Sequence, residues 1–265
     1  MLPAAALFSR ALAAAARARR GPPALSALAP PALLARLAPG RPASSGTAAP
    51  SPRRLGDILH LDKLTEATGP EIAAIWTDFH DASKKGRAGD ASTSAASASP
   101  ASTPHAFRLG STMAADAYAA FKARAAASPL LALPVAKPSE GGGGAGDGGG
   151  SLGSLTLLVQ AQLPHLLIGT LGEYQAAGPS APAHAVVTHY DELAEDKGVV
   201  LVRTDLVSPH VLTPAEAAAV VATIHRLYCE EAGHALVRAF NHAPATFDWD
   251  ALCKHVGVEA GGGGG

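Results

Sequence analysis

The hydrophobic positions of residues 166–203 form three short runs that are separated by compact polar connectors. The runs at residues 166–170, 185–190 and 199–203 are rich in Val, Leu, Ile and Thr, which is typical of half-buried strands. The connectors, at 178–182 and 195–198, are shorter than the helical crossover that two parallel strands require. The pattern therefore predicts antiparallel strands.

Two further apolar runs and one strong helix signal extend this pattern. The runs at 130–135 and 155–160 predict two more strands. Thr213 as N-cap, with Pro214 next and Glu216 three residues after the cap, forms a capping box that starts a helix. The apolar positions that follow predict a helix face that covers the sheet: Ala217, Val220, Val221, Ile224, Leu227 and Tyr228. Shorter helices are expected at 235–241 and, with Asp248 as cap, at 248–256.

Ahead of the sheet, the sequence predicts a short helix at 57–64 and a second helix from Thr68. In the second helix, one apolar stripe is formed at helical spacing by Ile72, Ile75, Trp76 and Phe79. This stripe either packs on the sheet or reaches a groove on a partner protein. The low-complexity segment that follows the helix is compatible with the second interpretation.

Together these elements predict a single α+β domain of about six mostly antiparallel strands flanked by helices. We expect this domain at residues 105–256, with a Gly-rich insert at 139–153 that enlarges one hairpin loop. A low-complexity linker at 86–104 separates the domain from a helical arm at 53–85, and a glycine tail occupies 257–265.

Composition separates the N-terminal region from this domain. The chain has 265 residues, of which 48% are hydrophobic and 16% charged, and this composition is sufficient to form a hydrophobic core. Its apolar runs are shorter than the roughly 20 residues of a membrane-spanning helix. Residues 1–54 contain eight arginines and no lysine or acid. We therefore expect a disordered organellar transit peptide at 1–52, and a basic tail that binds nucleic acid is the alternative. Composition alone does not separate mitochondrial from plastid targeting.

The charge of the remainder argues against nucleic acid as a partner. Of the chain's 21 basic residues eight precede residue 55, so the rest carries 13 basic against 22 acidic residues. Phosphate backbones repel such a surface.

Eleven histidines raise the question of catalysis or metal binding. His184 and His189 are five residues apart, on opposite faces of a regular strand, which argues against a shared metal. Cys229 and Cys253 have no companion at zinc spacing and are expected to be packed or partly exposed thiols. The G-x-G-x-x-G pattern at 144–149 arises by composition in a glycine run. We therefore predict no enzyme activity, no cofactor, no metal and no small-molecule substrate.

Several sequence motifs occur together in a fixed order. They are T-L-x-E-Y at 170–174, A-P at 181–182, T-H-Y-x-E-L-A-x-D-K-G-V-V-L-V-R at 188–203, L-T-P-A-E-A at 212–217 and F-N-H-A-P-x-x-F-D at 240–248. This order is similar to that of the mitochondrial ATP synthase assembly factor family, which escorts the unassembled beta subunit of the catalytic head. The resemblance covers most of residues 53–255.

The resemblance implies a molecular chaperone of the mitochondrion, expected in the matrix, that binds the free ATP synthase beta subunit. It would prevent aggregation of that subunit until the alpha subunit replaces it. Two other functions are open: a matrix scaffold for another complex, or a small hydrolase or metalloenzyme.

The resemblance and the apolar stripe supply candidate partner-binding residues. They are Tyr174, Thr188, His189, Tyr190, Lys197 and Arg203, which match the family motifs, together with Trp76 and Phe79 of the stripe. Each motif residue also has a structural explanation. The tyrosines would anchor loops, Lys197 would form a turn, and Arg203 would pair with Glu192 or Asp205.

Overall fold

The computed structural model describes residues 54–60, 64, 66–88, 107–138 and 152–258, and the side chains of 82–88 are not described. The predicted transit peptide lies outside the described residues, as do most of the predicted linker, the Gly-rich insert and the glycine tail. The described part is α+β, with six strands and seven α-helices, so the predicted fold class is confirmed.

All six strands belong to one sheet, in the order β1-β6-β5-β4-β3-β2. The strands are β1 Phe107–Ala114, β2 Leu130–Pro138, β3 Leu152–Gln162, β4 His165–Thr170, β5 Ala185–Tyr190 and β6 Val199–Leu206. Each neighbouring pair is antiparallel. The short connectors of the sequence thus produce the predicted antiparallel arrangement, while the path from β1 to β2 crosses from one edge of the sheet to the other.

Seven helices surround this sheet: α1 Gly69–Ala88, α2 Ala115–Ala127, α3 Leu171–Ala177, α4 Ala194–Lys197, α5 Pro214–Cys229, α6 Glu231–His242 and α7 Trp249–Val256. Two short 3-10 helices, Leu55–Asp57 and Gly178–Ser180, complete the described elements. The helix predicted at 57–64 is wrong in its extent, because the 3-10 helix ends at Asp57 and residues 58–60 are not helical.

One face of the sheet carries the main core, and we call it the core face. It presents alternate residues of each strand, such as Leu157, Val187 and Val202, to α2 and α5. The predicted capping box of α5 is present, since the Thr213 hydroxyl accepts from the Glu216 N–H and the Glu216 carboxylate accepts from the Thr213 N–H. All six predicted apolar positions of α5 are buried, so this helix covers the sheet as expected.

The opposite face, which we call the arm face, carries α1. Ile72 and Trp76 are buried there against Tyr190 and Leu201, and the Trp76 indole N–H donates to the Val202 carbonyl at 3.0 Å. For these two residues the stripe packs on the sheet, one of the two interpretations of its sequence. By contrast, Ile75 and Phe79 are each 44% exposed.

Candidate partner-binding face

The strand register determines which candidate residues share a face. Thr188 of β5 lies opposite Arg203 of β6, and Tyr190 lies opposite Leu201. Because side chains alternate along a strand, these residues point to the arm face, whereas His189 points to the core face. Rings of α2, Tyr118 and Phe121, pack against His189 there.

The other candidates come from elements that lie on the arm face or border it. Trp76 and Phe79 belong to α1. Tyr174 belongs to α3 and packs against Leu158. Lys197 ends α4, and its carbonyl approaches the first residue of α1. The structure therefore gathers seven of the eight candidate residues around the arm face and separates only His189 from them.

Four of these candidates are buried: Trp76, Tyr174, Thr188 and Tyr190. The Tyr190 ring lies 5.9 Å from the Trp76 ring and 6.0 Å from the Arg203 guanidinium carbon. The Thr188 hydroxyl lies 3.0 Å from Nδ1 of His165. Substituting a buried candidate would disturb the fold as well as binding. Phe79 is exposed and Lys197 is half-buried, so these two are accessible to a partner, whereas the Arg203 side chain is only 14% exposed.

Arg203 forms one of its two predicted ion pairs. Its Nε donates to Asp205 at 2.8 Å, and Arg108 of β1 donates to the other oxygen of the same carboxylate at 3.2 Å. Because Asp205 is only 7% exposed, this arrangement is a nearly buried carboxylate between two cations. The positive charge of Arg203 is therefore largely compensated within the protein.

The segment from α3 to residue 183 also packs on the arm face. At its start, the Glu173 carboxylate accepts hydrogen bonds from the Thr170 hydroxyl and from the His184 ring. The bond from Thr170 is the largest cause that lowers the pKa of Glu173. A Cβ atom on Gly169 would lie 2.9 Å from the Pro182 carbonyl oxygen, so the segment rests directly on β4.

An open depression lies at the inner side of this segment. It is shallow, with room for about one water molecule, and is lined by Leu158, Gln160, Leu167, Gly169, Thr170, Tyr174 and residues 181–183. This depression is too small to bind a small molecule or a large side chain of a partner.

On the core face, His189 has a partner that the sequence did not indicate. Its Nδ1 lies 3.1 Å from the Pro164 carbonyl oxygen, which can only accept, so Nδ1 carries the proton. Nε2 of His189 is then an acceptor, and the N–H of His225 donates to it at 2.9 Å. Burial lowers the pKa of His189 to about 4 and that of His225 to about 3. Both rings are therefore neutral parts of the core.

The described residues contain no group of three or more His, Cys, Asp or Glu residues placed to hold a metal ion. A G-x-S-x-G pattern, which is typical of a nucleophile elbow, occurs at 149–153 in the glycine run. However, strand β3 follows where an elbow would open a helix, and Ser151 lies outside the described residues. Among the described helices, none has both the length and the apolar character to cross a bilayer.

The fold and the arm face thus define an α+β protein with a candidate protein-binding surface. The family model of the ATP11 protein matches residues 22–253 of the chain. Since the match extends over well more than half of the sequence, the chain belongs to the ATP11 family, the assembly factors of the F1 part of the mitochondrial ATP synthase. No curated protein matches the chain. Family membership assigns it a role in F1 assembly.

Proposed function

We propose that this protein is a chaperone of the mitochondrial matrix that binds the unassembled beta subunit of the ATP synthase and releases it to the alpha subunit. The observation that carries this proposal is the family match over residues 22–253. The motif residues add support, because those at 170–174 and 188–203 lie in elements that build the arm face.

The proposal has a simple physical basis. A subunit that belongs in a larger assembly exposes apolar surface while it is free, and such surface promotes aggregation unless it is covered. An interface of about 800 Å² on each partner would cover part of that surface. The more extensive contact between alpha and beta can then displace the chaperone by mass action. No step of this cycle requires catalysis by the chain.

Within this proposal, the accessible candidates Phe79 and Lys197 contact the beta subunit, and Arg203 and the buried candidates hold them in place. Trp76 and Tyr190, whose rings pack together, position α1 on the sheet. The role of His189 is to pack the core, where it meets Phe121 and His225.

The test is co-expression of the full chain with a mitochondrial ATP synthase beta subunit, followed by size-exclusion chromatography with light scattering. We expect a discrete complex of the two chains, and we expect added alpha subunit to release this protein from it. If the beta subunit aggregates equally with and without this protein, and no complex forms, the chaperone proposal is wrong.

We also propose that residues 1–52 direct the protein to the matrix. A fluorescent reporter fused to these residues should be imported into mitochondria and become protected from added protease after outer-membrane rupture. The same fusion with Arg17, Arg19 and Arg20 changed to Glu should not be imported, because import signals depend on positive charge. A wild-type fusion that reaches another compartment would contradict this assignment.

A further inference from the structure

We propose that the outer edge of β1 binds an extended segment of the partner protein, which pairs with β1 as an additional strand of the sheet. The occupant that we assign is a strand of the ATP synthase beta subunit. This identity rests on the proposed function, whereas the need for an extended backbone follows from the hydrogen-bonding groups of the edge itself.

The backbone groups of β1 that face away from the sheet have no partner among the described residues. The N–H of Ala115, one residue after β1, donates to the Gly198 carbonyl beside β6 at 3.0 Å. Because backbone groups alternate in direction along a strand, those of Arg108, Gly110 and Thr112 point away from β6. They form a row of donors and acceptors that a second extended backbone can satisfy.

The side chains of β1 leave this edge open to solvent. Arg108, Ser111 and Thr112 are exposed, as is Ala114 at the end of the strand. The strand has no proline, and the charge of Arg108 is paired with Asp205 of the neighbouring strand. Prolines and unpaired charges are common obstacles to pairing at a sheet edge, and β1 carries neither.

The opposite edge of the sheet, strand β2, is closed. The Asn241 side chain of α6 pairs with Leu130 as a strand would, because it accepts from the Leu130 N–H at 3.1 Å and donates to the Leu130 carbonyl at 2.7 Å. By alternation, the outward positions of β2 include Pro134 and Pro138, which have no N–H. Helix α6 also packs on this strand through Phe240. The fold thus protects one edge of the sheet and leaves the other accessible.

The two sides of the open edge define the side chains of the added strand. On the core-face side, β1 presents Phe107, which is 37% exposed, and the partly buried Met113. On the arm-face side, Gly110 and Thr112 are small, and a Cβ atom on Gly110 would lie 2.9 Å from the His80 ring of α1. We therefore expect an added strand with apolar side chains beside Phe107 and small side chains beside α1.

A strand of this alternating kind suits an unassembled subunit. While a strand edge and its apolar side are uncovered, they promote aggregation, and pairing with β1 would cover both. A second copy of this chain fits the edge less well. Its own α1 would have to lie beside the first α1 over strands about 5 Å apart, whereas a helix with its side chains is about 10 Å wide.

Residue-resolved hydrogen exchange of the full chain tests the pairing directly. The amides of Arg108, Gly110 and Thr112 should exchange rapidly in the free protein and at least tenfold more slowly in the complex with the beta subunit. The amides of Leu109 and Ser111 face β6 and serve as the internal reference, because they are bonded within the sheet in both states.

Two results of this measurement would overturn the inference. Outward amides that stay unprotected in the complex would show that the beta subunit does not pair with β1. Outward amides that are already protected in the free chain would show that the edge has another occupant. If that protection rises with concentration and light scattering shows a dimer, the occupant is a second copy.

Thr112→Pro removes one outward N–H from the open edge, and Ala136→Pro is the matched control, because it makes the same change on the closed edge. Both positions face outward, so neither change removes a bond within the sheet, and circular dichroism and thermal unfolding would verify that both variants fold. We expect Thr112→Pro to weaken binding of the beta subunit at least tenfold and Ala136→Pro to change it less than twofold. Equal affinities of wild type and a folded Thr112→Pro variant would refute strand addition.

Failure of this inference is distinguishable from failure of the proposed function. If the wild-type chain forms no complex with the beta subunit, the proposed function is wrong, and so is the occupant that we assign to the edge. If wild type and Thr112→Pro bind equally well and the outward amides of β1 remain unprotected, the pairing at β1 alone is rejected.

Discussion

His189 and His225 form a neutral pair at the centre of the core, with ring nitrogens 2.9 Å apart. Phe121 contacts both rings, and Tyr118 stacks on His189. A proton added to either ring would place an uncompensated charge among aromatic side chains, which is costly. This cost is the largest cause of the low pKa values of both residues.

We predict that the histidine pair makes the protein sensitive to acid. The folded-state pKa values, about 4 for His189 and about 3 for His225, lie below the ordinary value of 6.5. Below pH 6.5 the unfolded chain therefore binds more protons than the folded chain, and the free energy of unfolding falls as the pH drops. At pH 5 the loss is roughly 2 kcal/mol for one such histidine. Well above pH 6.5 the two histidines are neutral in both the folded and the unfolded chain, so none of this free energy of unfolding is lost.

Urea unfolding at pH 5.0, 6.0 and 7.5 would measure this effect. The variant His225→Leu should lower stability at pH 7.5 but should lose less additional stability at pH 5.0 than wild type does. The exposed residue His210 supplies the control, since His210→Gln should keep the wild-type response to pH. Wild-type stability that is equal at pH 5.0 and 7.5 would refute the prediction.

At the scale of elements, Gly110 sets how closely α1 approaches the sheet. A Cβ atom there would lie 2.9 Å from the His80 ring, and that ring cannot move freely because it packs on Trp76 and lies 3.0 Å from the Trp76 carbonyl oxygen. We predict that Gly110→Ala costs about 1–3 kcal/mol of stability through overpacking. Gly172→Ala is the control, since an added Cβ meets nothing within 4 Å there and alanine favours helix. Urea unfolding would measure the stability of both variants. Equal stabilities would contradict the close approach of α1 to β1 at Gly110.

The N-terminus of α5 gives a second prediction at this scale. The Thr213 hydroxyl accepts from the Glu216 N–H at 3.3 Å, and Thr213→Ala removes that acceptor. We expect a loss of about 1 kcal/mol, the usual contribution of a capping side chain. Thr77→Ala in α1 removes a hydroxyl that donates to Ala73 but caps no helix end, so its thermal unfolding should stay near that of wild type. A Thr213→Ala protein as stable as wild type would show that water replaces the cap.

The elements that the sequence predicts well carry strong local patterns. Residues 185–190 alternate around β-branched positions and form β5 as predicted, and the Thr213 capping box starts α5. Helix α2 was not predicted, because its alanine-rich sequence gives little contrast between its buried side and its exposed side. Strand β1 was not placed either, since Gly110 interrupts its pattern. Helix α3 carries the same cap spacing as α5, Thr170 to Glu173, and that spacing could have identified it.

The candidate site was predictable only in part. The family motifs supplied most of its residues, but their sharing of one face depends on the register of β5 with β6. The pairing of His189 with His225 depends on α5 crossing β5 at the core face. Contacts between residues far apart in sequence are set by packing and have no local pattern.

At the scale of the molecule, the described part of the predicted arm is integrated with the sheet. Leu55, Ile72 and Trp76 share one buried cluster with Tyr190 and Leu201. This cluster lies on the opposite face of the sheet from the main core. The sheet is thus covered on two sides, and the stability of α1 should be coupled to that of the strands.

This coupling leads to a prediction for Trp76, whose side chain is fully buried and whose indole N–H donates to Val202. Trp76→Ala should cost about 3–5 kcal/mol, because it leaves a cavity and removes that hydrogen bond. Urea unfolding would measure the loss, and hydrogen exchange should show lower protection both in α1 and in β6. Trp249→Ala serves as control, since Trp249 is only partly buried and its loss should leave exchange in α1 unchanged. If Trp76→Ala lowered protection in α1 while global stability stayed constant, α1 would instead be an arm that docks and undocks independently of the sheet.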